Sequence, residues 1–474
     1  MKNFTKKIDE FVKKNQYERK KFAVDLFPAL GQFPVNKGDI IALSGNSGSS
    51  DGPHLHFEFR DAKTSNPLNP LFFNFNIQDN IKPGIVNVII YPFNEFSFID
   101  NKNEKKIIPV TGNNGNYNIN SNNIIQVYGK IGIGIETVDY LNNTRNKFDV
   151  YSIELLVDNI TFYYHELNEF SFSETRYINS HIDYEEYIKS KRKIHKTFVE
   201  PNNKLSIYKN LKNRGIIEFK DKNIHIVSLI VKDFYQNTSI LNFKIQSYLN
   251  NYVNAILSGN SNYSKIMPYQ YSNSFEKDDI KINLPKDALY DTLYFEYAKT
   301  ESIKEGFSKV HHVHNQYTPI HKSYTLSIKP DNLPEHLRNK SLIASIGNEK
   351  DELISIGGEW QDDFVTVKTR KFGKFVVVID TISPEIIPLN IGNKKDLSYF
   401  KSIEFKVTDD LSGIKSYNGY IDKQWVLFEY DSKNDKIFYV FDEDRLINGN
   451  NHELELYIID NKNNAAVYHI EFFR

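Results

Sequence analysis

The chain has no cysteine, only 2 methionines and 2 tryptophans among 474 residues, and no apolar run approaching the ~20 residues of a membrane-spanning helix. Without cysteine there is neither a disulfide framework nor a thiolate metal site, so any transition-metal centre must use imidazoles and carboxylates. A charge of one sign is missing too: 59 basic residues face 60 acidic ones, the net charge is −1, and no long block of like charge interrupts the text. That balance removes the electrostatic footprint of a nucleic-acid binder or of a protein held on an anionic membrane. The opening "MKNFTKKIDEFVKKNQYERKKFAVDLF" carries lysines but lacks the apolar centre of a signal peptide.

Aromatics are abundant, with 30 Tyr and 34 Phe, and the Val/Ile-rich runs are short and alternate with polar residues. This is the composition of half-buried strands, so a mostly β fold is expected. The length exceeds what one hydrophobic core supports and predicts several domains. The spacing predicts an amphipathic helix at about residues 4–19, then strands "QFPV", "DIIALSG" and "HLHFEFR", and an exit at Pro67 and Pro70. The "DNIKPG" stretch reads as a linker, and Pro384 marks another. Four segments follow: 1–78, 79–247, 248–382 and 383–474. The second and fourth read as immunoglobulin-like β-sandwiches, the second with insertions, and the third as a further β-rich module.

One pattern recurs beyond residue 79: an apolar alternating strand, Asp, three residues, Asn, then another strand. It appears at Asp139/Asn143, Asp233/Asn237 and Asp460/Asn464. Asp and Asn tolerate left-handed backbone and bond their own chain, so each copy is predicted to be a hairpin turn, a mark of fold and not of catalysis. Asp409, Asp410 and Gly413 also fit a turn. A calcium site there is the alternative, but no third carboxylate stands at a loop spacing.

Chemistry points to "GNSGSSDGPHLHFEFR", residues 45–60. On a strand, His54 and His56 would project to one face, roughly 7 Å apart, with Leu55 and Phe57 packing on the other. Upstream lie a Gly38-Asp39 turn and a Gly45/Gly48 loop, with Gly52-Pro53 fixing entry; downstream come Glu58, Arg60 and "NPLNPL". Over residues 35–71 this block resembles the closing block of the M23 zinc metallopeptidases, the LytM/lysostaphin-like endopeptidases, in which a glycine loop precedes Gly-Pro-His-Leu-His-Phe-Glu and then Asn-Pro-Leu.

The resemblance implies a partial lysostaphin-type antiparallel sheet, with His56 as a zinc ligand and His54 as the imidazole that helps activate water and stabilise the tetrahedral intermediate. It further implies zinc as cofactor, peptidoglycan peptide cross-links or another envelope component as ligand, and a periplasmic, secreted or cell-envelope location. The β modules offer surface for a protein partner. The family also needs a His and an Asp from an early His-x-x-x-Asp motif and a middle Tyr-x-His. No histidine precedes His54 here, and Asp25 and Asp39 have no His at the required spacing. One imidazole cannot supply the three protein ligands of a catalytic zinc. On this alignment Met1 falls inside the catalytic unit, which reads as a gene model or fragment lacking its upstream half; the other reading is a non-catalytic envelope-binding or scaffold protein with a degenerate peptidase lobe. A sheet without half its strands would expose a long unpaired edge.

Two further histidine-bearing stretches stand out. "VHHVHNQYTPIH" holds His311, His312, His314 and His321, with His312 and His314 able to share a strand face; without carboxylates at matching spacing they read as strand and loop histidines. "HIDYEEYIKSKRKIHKTF", His181 to Phe198, reads as a solvated helix or loop.

Overall fold

The computed structural model describes residues 3–46, 52–119, 124–248, 263–347, 352–442, 445–446 and 448–474. It is mostly β, as the composition predicts, and its strands form β-sandwiches. Among the described residues no helix is long and apolar enough to cross a membrane.

The amino-terminal helix runs Lys6–Arg19 and stops where Lys20 adopts a left-handed conformation, its N–H bonding back to the helix. Ile8, Phe11, Val12 and Asn15 are half-buried at helical spacing beside the buried Gln16. After it the predicted sheet is reduced to two-residue pairs: Asn3–Phe4 with Ala42–Leu43, and Phe59–Arg60 with Pro67–Leu68. "QFPV" forms no strand, and "DIIALSG" and "HLHFEFR" pair only in part. The reason is cooperative: strands with no neighbours on either edge cannot satisfy their backbone groups against one another and do not persist as a sheet. The Gly48 part of the glycine loop lies outside the described residues.

From Gly84 to Ser247 the strands join in a 12-stranded hydrogen-bonded path folded into two facing layers. The strand Ile125–Val138 ties the layers together, pairing antiparallel with Gly84–Pro92 and parallel with Thr238–Ser247. It turns between layers at Gly129, whose φ of +84° and close approach to the Phe96 carbonyl leave no room for a side chain. Alternation fills the space between: Val227, Leu229 and Val231 on one strand meet Leu241, Phe243 and Ile245 on the next, with Ile131, Ile133 and Ile135 opposite.

Two five-stranded sheets follow between Asn273 and Ile379 and bury Ile282, Leu326 and Val365 against Val313, Phe375 and Val377. The last sandwich sets a four-stranded sheet containing Ser402–Thr408 against a five-stranded one containing Asn451–Asp460 and Ala465–Phe473, with Phe405, Tyr439, Leu456 and Phe472 between them.

Two of the three Asp-x-x-x-Asn copies are the predicted hairpins: Lys232 pairs with Thr238 around Asp233/Asn237, and Ile459 with Ala465 around Asp460/Asn464. The third is not. Asp139 bridges to Phe148, and the strands on either side, Ile125–Val138 and Ser152–Val157, pair with other partners. The His181–Phe198 stretch is also not solvated as a whole. Its helix Tyr184–Ser190 is followed by the buried strand Ile194–Lys196, and Asp183 is held by the Tyr91 hydroxyl at 2.8 Å and by Lys105. A docking surface of that kind leaves no signature in local charge spacing.

Candidate functional site

The histidine pair sits on irregular backbone. His54 makes a single bridge to Gly45, and regular pairing resumes only at Phe59. The expected in-and-out alternation therefore fails: Leu55 is 79% exposed and Phe57 60% exposed. His54 Nδ1 lies 2.8 Å from the Gly52 carbonyl, which makes Nδ1 the donor and Nε2 the basic nitrogen. His56 is largely exposed, with Nε2 4.0 Å from Glu58 Oε1, and Arg60 Nε donates to that same carboxylate oxygen at 2.9 Å.

Beyond the pair, the segment is anchored to the following sandwich. The Arg60 guanidinium lies 4.7 Å from the centre of the Phe172 ring, and Asn69 donates to the carbonyls of Asn168 at 2.8 Å and Leu167 at 3.2 Å. Asn69 also caps the short helix Pro70–Phe73. The "NPLNPL" text is thus a docking strap as well as an exit.

A catalytic zinc needs three protein ligands converging on one point. Among the described residues, no group of three metal-ligating side chains includes His54 or His56. The residues present do not by themselves fit a catalytic zinc.

The histidines of "VHHVHNQYTPIH" are held by neighbouring side chains. His311 is fully buried, with Nδ1 2.9 Å from the Tyr297 hydroxyl, and burial pushes its pKa down to about 4. His312 meets Thr300, whereas His314 leaves the strand with φ of +52° and meets Thr318, so the two do not share a strand face. His321 stacks on Tyr177.

Sequence reading missed a polar chain of buried histidines that reaches the surface at Asp149. Asp149 reaches His195 Nε2 at 2.9 Å, His195 Nδ1 reaches His181 Nε2 at 3.1 Å, and His181 Nδ1 reaches the Tyr208 hydroxyl at 3.2 Å. His165 stands beside it, its pKa pushed down to about 3 by burial and by His195. These residues come from a loop, separate strands and a short helix, and no local spacing announces them.

Two acidic clusters were missed as well. Asp79, Asp139 and Asp233 bring carboxylate oxygens within 4.8 Å of one another, and so do Asp380, Asp409 and Asp460. Asp409 does cap the predicted turn, accepting from Gly413 N at 2.6 Å. The third carboxylate absent from the local spacing arrives from other parts of the chain, and Asp410 takes no part. The Asp-x-x-x-Asn repeat was the available signal, since it supplies Asp139, Asp233 and Asp460.

Residues 264–380 match the family model described as a Zu5-like domain. A stretch of 35 residues is 60% identical to a Haemophilus influenzae protein described as an uncharacterized metalloprotease; it covers 7% of this chain and 7% of that relative's length. Among solved structures, the fibronectin(III)-like modules of Clostridium thermocellum CbhA align with 32% of this chain and 85% of theirs, at 14% identity and a TM-score of 0.16. A bacterial ice-binding adhesin involved in host cell surface retention aligns over 83% of this chain and 97% of its own, at 8% identity and a TM-score of 0.14. Scores this low speak to neither a shared overall arrangement nor a shared ligand.

Proposed function

We propose that residues 1–78 are the closing half of an M23-type zinc endopeptidase unit acting on peptidoglycan peptide cross-links, and that the β-sandwich modules behind it position that unit in the cell envelope. In that unit His56 is a zinc ligand and His54 the neighbouring imidazole; zinc, when bound, supplies an activated water and a polarised scissile carbonyl. The observation that carries the reading is the Gly52-Pro53-His54-Leu55-His56-Phe57-Glu58 block in a chain that shares a 35-residue stretch, 60% identical, with a metalloprotease. Exposed apolar side chains on the same segment support it: Val35, Ile40, Leu43, Leu55 and Phe57 are side chains that a completed sheet would cover.

Because the residues present do not complete a zinc site, the chain by itself is expected to hold negligible zinc and not to cleave cross-linked peptidoglycan. Metal analysis of the purified chain with a digestion of sacculi tests this. Stoichiometric zinc that disappears in His56→Ala would overturn the expectation and mean that another chain donates ligands.

The second reading is a non-catalytic envelope-binding protein. It is favoured by the incomplete ligand set and by the dominance of β-sandwich modules. Sedimentation with sacculi tests it: the second reading requires binding that persists when both histidines are replaced by alanine and when residues 1–78 are removed, and binding lost in either variant would overturn it.

A further inference from the structure

We propose that Asp79, Asp139 and Asp233 form a calcium site that fastens the segment entering the second sandwich onto the end of that sandwich. The proposal is independent of the peptidase reading and uses none of its residues.

The three carboxylates come from distant points: Asp79 from the segment before strand Gly84–Pro92, Asp139 from the end of Ile125–Val138, and Asp233 from the hairpin before Thr238–Ser247. Their oxygens lie within 4.8 Å of one another, the separation of two oxygens on opposite sides of an ion about 2.4 Å from each. Asp139 is 4% exposed and Asp233 2% exposed. Among the described residues none of the three forms an ion pair with a lysine or arginine. Asp139 Oδ1 and Asp79 Oδ2 are buried and accept no hydrogen bond.

Like charges gathered out of water, with bare oxygens turned toward one another, repel unless a cation sits among them. A donor set made only of oxygen selects a hard cation. An irregular arrangement drawn from a linker, a strand end and a hairpin suits calcium, which accepts flexible geometry, better than magnesium, which demands a near-ideal octahedron. The surroundings are built to hold the oxygens in place: Asn237 donates to Asp233 Oδ1 from its backbone at 2.9 Å, and from its side chain to Asp233 Oδ2 at 2.6 Å and to the Asp79 carbonyl at 3.2 Å.

The same plan is built again at the entry to the last sandwich. There Asn464 donates to Asp460 Oδ2 at 2.6 Å and to the Asp380 carbonyl at 3.0 Å. In that copy lysines stand alongside: Lys340 Nζ donates to Asn464 Oδ1 and to the Lys462 carbonyl, and Lys462 is itself buried. Lys462 is close enough to feel Asp380 and Asp460, Asp409 Oδ1 is buried there and accepts no hydrogen bond, and the cluster belongs to a different sandwich, so it serves as the control for effects outside the second sandwich.

The test is thermal unfolding of the chelator-treated full chain with calcium or magnesium added to ~10 mM, above the 10⁻⁴–10⁻³ M range of extracellular calcium modules. Proteolysis across residues 74–83 and a calcium titration by calorimetry accompany it. Calcium is expected to raise the melting temperature of the second sandwich by roughly 5–10 °C at about a hundredfold excess over Kd and to protect the linker. Asp139→Asn and, separately, Asp79→Asn should abolish both effects while Asp460→Asn keeps them. Asp79 lies in the linker, so its variant reads the site even where Asp139→Asn disturbs folding. Without calcium, Asp139→Asn should melt no lower than the parent, because a repelling charge is gone. A parent chain indifferent to calcium, a calcium response that survives Asp79→Asn, or magnesium acting as well as calcium would each overturn the proposal.

Discussion

Lowering the pH should destabilise the sandwich of residues 264–380, with His311 the largest single contributor. His311 is fully buried between strands Tyr297–Thr300 and Gly373–Ile379. The Tyr297 hydroxyl meets its Nδ1, Nε2 has no partner, and Asp279, Lys299 and His312 are the charged or titratable groups around it. Burial dominates and brings its pKa from 6.5 down to about 4. Between those values the unfolded chain binds the proton and the folded chain does not, so stability is complete above pH 6.5 and falls as the pH drops toward 4. At about 1.4 kcal/mol per pKa unit, the loss is about 2 kcal/mol at pH 5 and about 3 kcal/mol by pH 4. With a urea m-value of about 2 kcal/mol/M, the midpoint should fall by about 1 M between pH 7 and pH 5. Trp360 belongs to this sandwich, so its fluorescence in a Trp425→Phe background reports the right transition. His311→Leu will be less stable at pH 7, having lost the Tyr297 bond, but its midpoint should fall by clearly less than the parent's between pH 7 and pH 5, the remaining fall coming from His312, His314 and His321, which burial also holds below the usual histidine range. An equal acid shift in His311→Leu and in the parent would refute the reasoning.

Other outcomes follow from particular contacts. Gly215 has φ of +80°, and a Cβ there would lie 2.1 Å from the Thr197 carbonyl oxygen; Gly215→Ala should destabilise the second sandwich by about 1–3 kcal/mol from backbone strain alone, read as a lower urea midpoint. Lys105 stands among Asp183, Glu185 and Glu186 at 2.9–3.1 Å. Lys105→Met removes the lysine the three carboxylates share, leaving Asp183 to the Tyr91 hydroxyl, Glu185 to Lys189 and Glu186 to Arg192, and should cost about 1 kcal/mol, with faster amide exchange in helix Tyr184–Ser190.

Much of the fold is written in alternation. Runs such as Ile224–Lys232 and Asn451–Asp460 place apolar side chains on one face at period two, and they fold as that pattern requires. What failed to be legible depends on partners far along the chain. "HLHFEFR" has the pattern of a strand but, apart from the single His54–Gly45 bridge, finds no neighbour until Phe59, so its alternation yields exposed Leu55 and Phe57. Asp139 sits in the same Asp-x-x-x-Asn text as Asp233 and Asp460, yet its flanking strands pair elsewhere. Local bonding explains the turns, and the turns were read correctly at two of three copies. The convergence of Asp79, Asp139 and Asp233 is a property of the assembled sandwich, invisible to any window of neighbouring residues. His54 and His56 were legible for the opposite reason, since the motif that contains them is contiguous.

The most direct test of the functional account joins the amino-terminal half of an M23 peptidase, carrying its His-x-x-x-Asp and Tyr-x-His motifs, to residue 3 of this chain and measures bound zinc. The folded fusion should take up stoichiometric zinc, lose it in His56→Ala, and in His54→Ala keep it while failing to cleave cross-linked peptidoglycan. A folded fusion that binds no zinc, or binds it as well in His56→Ala, would contradict the assignment of this histidine pair.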